Sequence, residues 1–252
     1  MSLYLVVALG AVIAGFVQGL SGFAFGLVAM SVWAWTVDPR LAAVLSTFGA
    51  LTGQIIAAVT VRRGFDKRML LPFVIGGLAG VPIGIWLLPR LDVVLFKACL
   101  GGLLVPWCLA MLFARNLPRI TWGGRIADGV SGFLGGICGG VGGFTGPIPT
   151  LWCTLRGMAR DAQRSVVQNF NLSMLAVAFA LQVGSGNVGM AMLPLLAIVA
   201  VCVLVPVLLG ARLYIGISDV AFRQIVLGLL TLSGLALLAA SVPELWVRWR
   251  AG

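Results

Sequence analysis

The sequence predicts an all-α integral membrane protein built as two inverted repeats, each a broken, re-entrant helix hairpin followed by three transmembrane helices. Three observations lead there. Hydrophobic residues make up 61% of the 252 positions and charged residues 10%, whereas a soluble domain carries roughly 25% charged residues and can cover itself with them. Apolar runs of about 20 residues, each long enough to cross a bilayer as a helix, recur from end to end. The first and second halves also share residues in an ordered series.

The apolar segments fall at about 3–36, 40–61, 69–90, 93–114, 125–155, 163–184, 189–213 and 220–243. They form a single transmembrane domain over 1–252, with repeat 1 at 3–114 and repeat 2 at 125–243. Six segments have the length of one span. The first, read as one helix of about 34 residues, would run about 50 Å against a hydrocarbon core of about 30 Å. It contains Gly15, Gly19, Gly22 and Gly26; the fifth contains Gly132, Gly136, Gly140, Gly142 and Gly143, then Pro147 and Pro149. Glycines four apart allow close helix packing, which accounts for some of these. Packing explains neither the excess length nor the Gly-Pro-Ile-Pro run, where proline removes a backbone donor. Both segments are therefore expected to break into pairs of short half-helices.

The repeat is legible by position. Gly15, Gly19, Gly22 and Phe23 recur 121 residues later as Gly136, Gly140, Gly143 and Phe144. Val44 and Phe48 recur at 122 as Val166 and Phe170; Gly84, Phe96 and Gly102 recur at 126 as Gly210, Phe222 and Gly228. The offset drifts only as small loop insertions would make it drift.

Charge orients the spans, because lysine and arginine favour the cytoplasmic side. Eight alternating spans would divide the 17 basic residues almost evenly. Letting segments one and five enter and leave on the same side puts twelve inside, among them Arg62, Arg63, Arg115, Arg119, Arg156, Arg160, Arg164 and Arg212. Five remain outside: Arg40, Arg90, Lys97, Arg248 and Arg250. Each half then has three true spans, the second half is inverted, and both termini face outward in the cell (inner) membrane. Seven of the eight tryptophans sit at segment ends, as an interfacial belt requires; Trp107 alone lies mid-segment.

Composition also excludes functions. The net charge of +10 would point to nucleic acid in a soluble protein, but here it sits between apolar segments, where lipid headgroups are the partner. Histidine is absent and Cys99, Cys108, Cys138, Cys153 and Cys202 show no ligand spacing, so neither metal nor other cofactor is expected. The N-terminus lacks a basic region ahead of its apolar run, so no cleavable signal is expected. Asp38, Asp92, Asp161 and Asp219 read as helix starts, and Asp66, Asp128 and Glu244 as loop or edge residues. With no carboxylate expected inside a span, a buried proton or sodium carrier is missing. The isolated cysteines lack a base, so an enzyme is not expected.

Discontinuous helices in inverted repeats are a recurring plan of secondary transporters. Two hairpins entering from opposite faces bring their tips together near the midplane, around Gly22-Phe23 and Gly142-Gly143-Phe144-Thr145. Backbone N–H groups at the starts of the second half-helices attract anions. Gln18, Ser21 and Thr145 add side-chain hydrogen bonds, and Asn169 and Asn171 occupy the repeat positions of Thr47 and Gly49 beside the tips. Arg164 reaches toward the site from the cytoplasmic end. Gln54, Gln168 and Ser173 are further polar residues within spans.

The glycine-rich openings GFVQGLSGFAFG and GFLGGICGGVGGFTGPI, the VDPRLA turn, and the closings GVPIGIWLLPRL and LGARLYIGISD resemble the sulfite exporter TauE/SafE family of membrane transporters (the 4-toluene sulfonate uptake permease family). The resemblance covers essentially the whole chain. It implies movement of small anions, mainly sulfur-containing ones such as sulfite, organosulfonates and sulfoacetate, without fixing substrate or direction. An alternating-access carrier, an anion channel and a carrier of non-sulfur carboxylates all fit the residues, as a monomer or a homodimer.

Overall fold

The computed structural model describes residues 2–60, 64–113, 119–213 and 219–251. Arg62, Arg63, the first repeat's last position Ala114, Arg115 and residues 214–218 of the closing pattern lie outside the described residues. All regular structure among the described residues is helical. It comprises α1 (Leu3–Ser21), α2 (Phe25–Trp33), α3 (Pro39–Thr60), α4 (Lys67–Leu87), α5 (Val93–Leu112), α6 (Gly124–Gly142), α7 (Pro147–Leu155), α8 (Arg160–Gly184), α9 (Leu193–Leu213) and α10 (Asp219–Ala251). Short 3-10 turns at Leu88–Arg90 and Met190–Met192 join α4 to α5 and lead into α9.

Aspartates start three of these helices. Asp38 accepts from the Arg40 N–H at 2.9 Å and Asp92 from the Leu95 N–H at 2.7 Å. Asp66, expected in a loop, does the same for α4 by accepting from the Arg68 N–H at 2.9 Å. Asp161 lies in the first turn of α8 rather than at its cap. Near the far end, α10 continues through Pro243 to residue 251, beyond the expected stop at 243. There Arg248 pairs with Glu244 one turn back, at 2.8 Å, and with Asp92 at the start of α5. Three segment-end tryptophans, Trp35, Trp86 and Trp246, carry Lys97, Arg90 and Arg250 over their rings.

Among the described residues, seven helices are long and apolar enough to cross a membrane: α1, α3, α4 with its 3-10 turn, α5, α8, α9 and most of α10. Both glycine-rich segments break, but into unequal arms rather than two short half-helices. A 19-residue arm precedes a 9-residue arm in each case. The break falls late because the glycines before it are spent on helix packing, leaving Gly22 and Gly143 as the first positions where the chain turns.

Each hairpin folds back toward the end from which it starts. In the first, the Trp33 indole N–H donates to the Val6 carbonyl at 3.2 Å and fills the notch over Gly10, where a Cβ would lie 2.1 Å from that nitrogen. In the second, the Trp152 indole donates to Asp128 at 2.7 Å, and Arg156 donates to both oxygens of the same carboxylate at 2.6 and 2.8 Å. Asp128 is thus a buried, ion-paired carboxylate one turn inside α6, not the edge residue its position suggested.

Two seams hold the arms in place. Along the first, α1 lies parallel to α9, with Gly15 against Val203 and Gly19 against Val207. Along the second, α6 lies parallel to α4, with Gly136 against Gly77 and Gly140 against Val81. A Cβ on Gly19 would sit 2.2 Å from the Val207 carbonyl, and one on Gly140 would sit 2.4 Å from the Val81 carbonyl. Seen from the other side, Gly210 meets the Phe16 carbonyl as Gly84 meets that of Ile137. The two seams therefore use residues at the same repeat offsets of 121 and 126. Helices approach this closely only without side chains between them, and the gain is dispersion over long contact surfaces.

The remaining large contacts join helices of opposite direction. Asp92 faces Arg248 while Leu104 faces Gly234, so α5 and α10 are antiparallel. Thr47 faces Gln182 while Gly64 faces Ser165, so the α3 and α8 chains are antiparallel as well. The core between these pairs is filled by Phe25, Trp33, Leu45 and Phe96, and a second cluster by Phe73, Phe170 and Met174.

Candidate functional site

Both breaks are made by glycine in the left-handed conformation. Gly22 has φ +82° and Gly143 φ +76°, a region that costs a residue bearing Cβ roughly 1–2 kcal/mol. Each closes its helix through its own N–H, Gly22 to the Gln18 carbonyl at 2.7 Å and Gly143 to the Gly139 carbonyl at 2.8 Å. Both tips lie beside the middle of α3. Gln54 donates to the Gly22 carbonyl at 2.6 Å, and Ser46 donates to the Gly142 carbonyl at 2.7 Å.

At the first tip, Ser21 accepts from the Ala24 N–H at 3.2 Å and donates to the Val17 carbonyl at 2.8 Å. Its hydroxyl is therefore a brace for the turn. Gln18 is 3% exposed, donates to the Ala50 carbonyl at 2.9 Å, and lies in a notch left by Gly53, where a Cβ would be 2.4 Å from Oε1. At the second tip, Thr145 donates to Asn171 Oδ1 at 2.8 Å. Trp107, the mid-segment tryptophan, donates to the Pro147 carbonyl at 2.7 Å. The tips touch: Gly26 abuts the Gly143 carbonyl, and Gly146 abuts Phe23 and Asn171. The Phe23 ring stands edge-on to Trp107, centroids 5.8 Å apart.

A cavity of about 40 Å³ opens at the first tip, more than the ~10–15 Å³ that one water requires. Gln18, Gly19, Gly22, Thr60, Arg164 and Gln168 line it, over an apolar floor from α9 that includes Val207 and Leu208. Arg164 and Gln168 are four apart on α8 and so share a face. Of the residues expected at the site, the cavity gathers Gln18, Gly22 and Arg164, with Ser21 bracing its rim. Phe23, Thr145 and Asn171 meet where the two tips touch. Gly142 and Gly143 press on α3, where a Cβ on Gly143 would lie 2.9 Å from the Thr47 Cα. The Phe144 ring packs back over Gly142 in the core. Asn169 turns away, donating to the carbonyls of Gly64 at 3.1 Å and Ser165 at 2.8 Å. Gln168, named only as a polar residue within a span, and Thr60, not named at all, join the cavity; the i, i+4 spacing of Gln168 from Arg164 was the available signal.

The two tips differ for a reason written in side-chain size. Gln168 stands against Gly22 at the repeat position of Ser46, which stands against Gly26 and Gly142. The small serine lets the second tip settle onto the α3 backbone, whereas the glutamine props the first tip open. The short arms differ too. Phe25, Gly26 and Leu27 open α2 with three backbone N–H groups, while Pro147 and Pro149 leave the first turn of α7 only that of Ile148.

Spanning helices, two braced breaks and a cavity at one of them that mixes polar side chains with an apolar floor define a multi-pass membrane protein organised around discontinuous helices. The family described as Sulfite exporter TauE/SafE matches residues 7–237, and the chain belongs to that family of membrane transporters. No curated protein and no solved structure matches the chain.

Proposed function

We propose that this protein is a secondary carrier of small anions, with sulfur oxyanions and organosulfonates as its first substrates, and that the cavity under the first hairpin tip receives them. The observation that carries the reading is the convergence of Arg164, Gln168, Thr60 and the Gly22 turn on one small cavity with an apolar floor. A guanidinium and the Gln168 amide attract an oxyanion, Thr60 donating instead to the Ile56 carbonyl at 2.8 Å, and glycine lets the ion approach the backbone. The family supports transport as the activity.

Alternating access by two inverted repeats, at 3–114 and 125–243, is part of the proposal. Its support is the equivalence of the two glycine seams and the direction of the paired helices. A two-fold axis that exchanges α5 with α10 and α3 with α8, each pair antiparallel, must run across the helices and hence in the membrane plane. In the cell membrane, the basic α8 start would face the cytoplasm and both termini would face outward.

The test is counterflow. Protein reconstituted in vesicles loaded with unlabelled sulfite should accumulate external labelled sulfite transiently and saturably. Arg164→Ala should abolish that uptake. Flux that never saturates and shows no counterflow would replace the carrier by a channel, and competition by sulfate, thiosulfate, sulfoacetate and carboxylates ranks the substrates.

A further inference from the structure

Asn171 is 1% exposed. Its Oδ1 accepts from Thr145 at 2.8 Å, yet its Nδ2, a donor, has no hydrogen-bond partner. An unpaired buried amide N–H is destabilising, so its retention asks for a reason. Nδ2 is directed at Gly146, the residue preceding α7, and would lie 3.1 Å from a Cβ there. This is the short arm whose first turn lost two backbone donors to Pro147 and Pro149. At the repeat position of Asn171, the first half has Gly49, with the Phe25 ring pressed against it. The donor amide therefore stands where the backbone donors are missing, and is absent where α2 keeps its own.

Asn171 also continues the face of α8 that lines the cavity. Arg164, Gln168 and Asn171 are spaced by four and three residues, which places them in one row over about 10 Å. The next residues of that row are apolar: Leu175 at 2% and Ala178 at 0% exposure, beside the Phe48–Phe179 ring contact at 5.3 Å. Polarity lapses after Asn171 and returns on this row only at Gln182, which is 0% exposed and donates to Thr47. The Phe23 side chain is packed against Gly146 beside the Asn171 amide, and Phe23 follows Gly22 of the cavity lining in the chain.

We propose that Asn171 is a second station for the transported anion, one helical turn beyond the cavity, which the anion reaches when Phe23 leaves Gly146. The inference rests on the cavity being the first station. It divides binding from translocation: Arg164 and Gln168 capture the anion, and the Asn171 amide, at the start of α7, accepts it for release past the apolar closure.

Asn171→Asp tests this, because the carboxylate keeps the acceptor for Thr145 and puts a negative charge where the donor was. Sulfite binding to purified protein and labelled sulfite exchange in vesicles are measured on the same preparations. Asn171→Asp should bind sulfite within about threefold of the parent while exchange slows by about tenfold or more, as loss of a hydrogen bond to a charged group implies. Asn171→Ala, measured in parallel, should show the same split and carries the test if the aspartate variant does not assemble. Exchange at the parental rate in both variants overturns the station. Loss of binding together with exchange overturns it as well, by merging Asn171 into a single site. Parental binding in an Arg164→Ala, Gln168→Leu double variant overturns the cavity reading itself, an outcome distinct from the other two.

Discussion

The side-chain amide of Gln54 donates to the carbonyl of Gly22 at 2.6 Å, tying the first hairpin tip to the middle of α3 across 32 residues of chain. A carbonyl at a helix break has no partner in its own helix, and in a membrane no water replaces one. Gln54→Leu should therefore lower thermal stability by about 1–3 kcal/mol and slow exchange together. Unchanged melting with unchanged exchange would mean the tip is held elsewhere.

The glycines of the two seams should respond alike. Ala at Gly19 or Gly140 forces a methyl group onto a backbone carbonyl that cannot move away. Each should cost about 1–3 kcal/mol, read as a lower melting temperature in detergent. Gly102, with nothing within 4 Å, is the counterpart: Gly102→Ala should be neutral or stabilise α5 by up to about 1 kcal/mol. A tolerant Gly19 beside an intolerant Gly140 would contradict the equivalence of the seams.

The break glycines should not respond alike. A Cβ at Gly143 meets the Cα and N of Thr47 at 2.9 and 3.0 Å, whereas one at Gly22 meets the end of the Gln168 side chain. Gly143→Ala should impair assembly. Gly22→Ala should leave an assembled protein whose sulfite affinity falls, since Gln168 swings out of the cavity. Measured affinities and melting curves for the two variants separate these outcomes.

The Asp128 carboxylate braces the second hairpin by accepting from Arg156 and Trp152. Because the Arg156 side chain is 33% exposed, the pair should contribute less than a fully buried one, and Asp128→Asn should cost about 1–3 kcal/mol. A double variant, Asp128→Asn with Arg156→Leu, should recover part of that loss, because no charge is left unpaired. Additive losses in the cycle would place the brace with Trp152 alone.

Orientation is tested by single cysteines on a background lacking the native five. Cysteines at Asp38 and Asn187 should react with an impermeant reagent from outside the cell, and those at Phe65 and Asp161 only from inside. External labelling at 161 would end the re-entrant topology.

Much of this was readable beforehand, and the residues say why. Excess length, clustered glycine and the Gly-Pro-Ile-Pro run marked both breaks because each is a property of the local chain. Gln18, Gly22 and Arg164 were named because they lie near a break or at a helix start, and all three line the cavity. The inequality of the arms was hidden because it depends on which glycines face another helix, and Gly19 and Gly22 look the same until α9 is in place. Asn169 and Asn171 were indistinguishable for a similar reason: two residues apart on a helix, they face different neighbours, and one answers Gly64 while the other answers Thr145. Asp128 read as an edge residue because its partner Arg156 lies 28 positions away.

The crossed seams bear on how the chain is made. α6 meets α4 some 53 residues after its partner is synthesised, judged by Gly129 against Gly76, whereas α1 waits for α9 across 188, judged by Val203 against Gly15. During translation the glycine face of α1 stays uncovered until α9 has been inserted. Neither half can bury its own leading arm, so the halves mature only by exchanging them. Separately expressed halves should be degraded alone and rescued together, making the protein an obligate duet within one polypeptide.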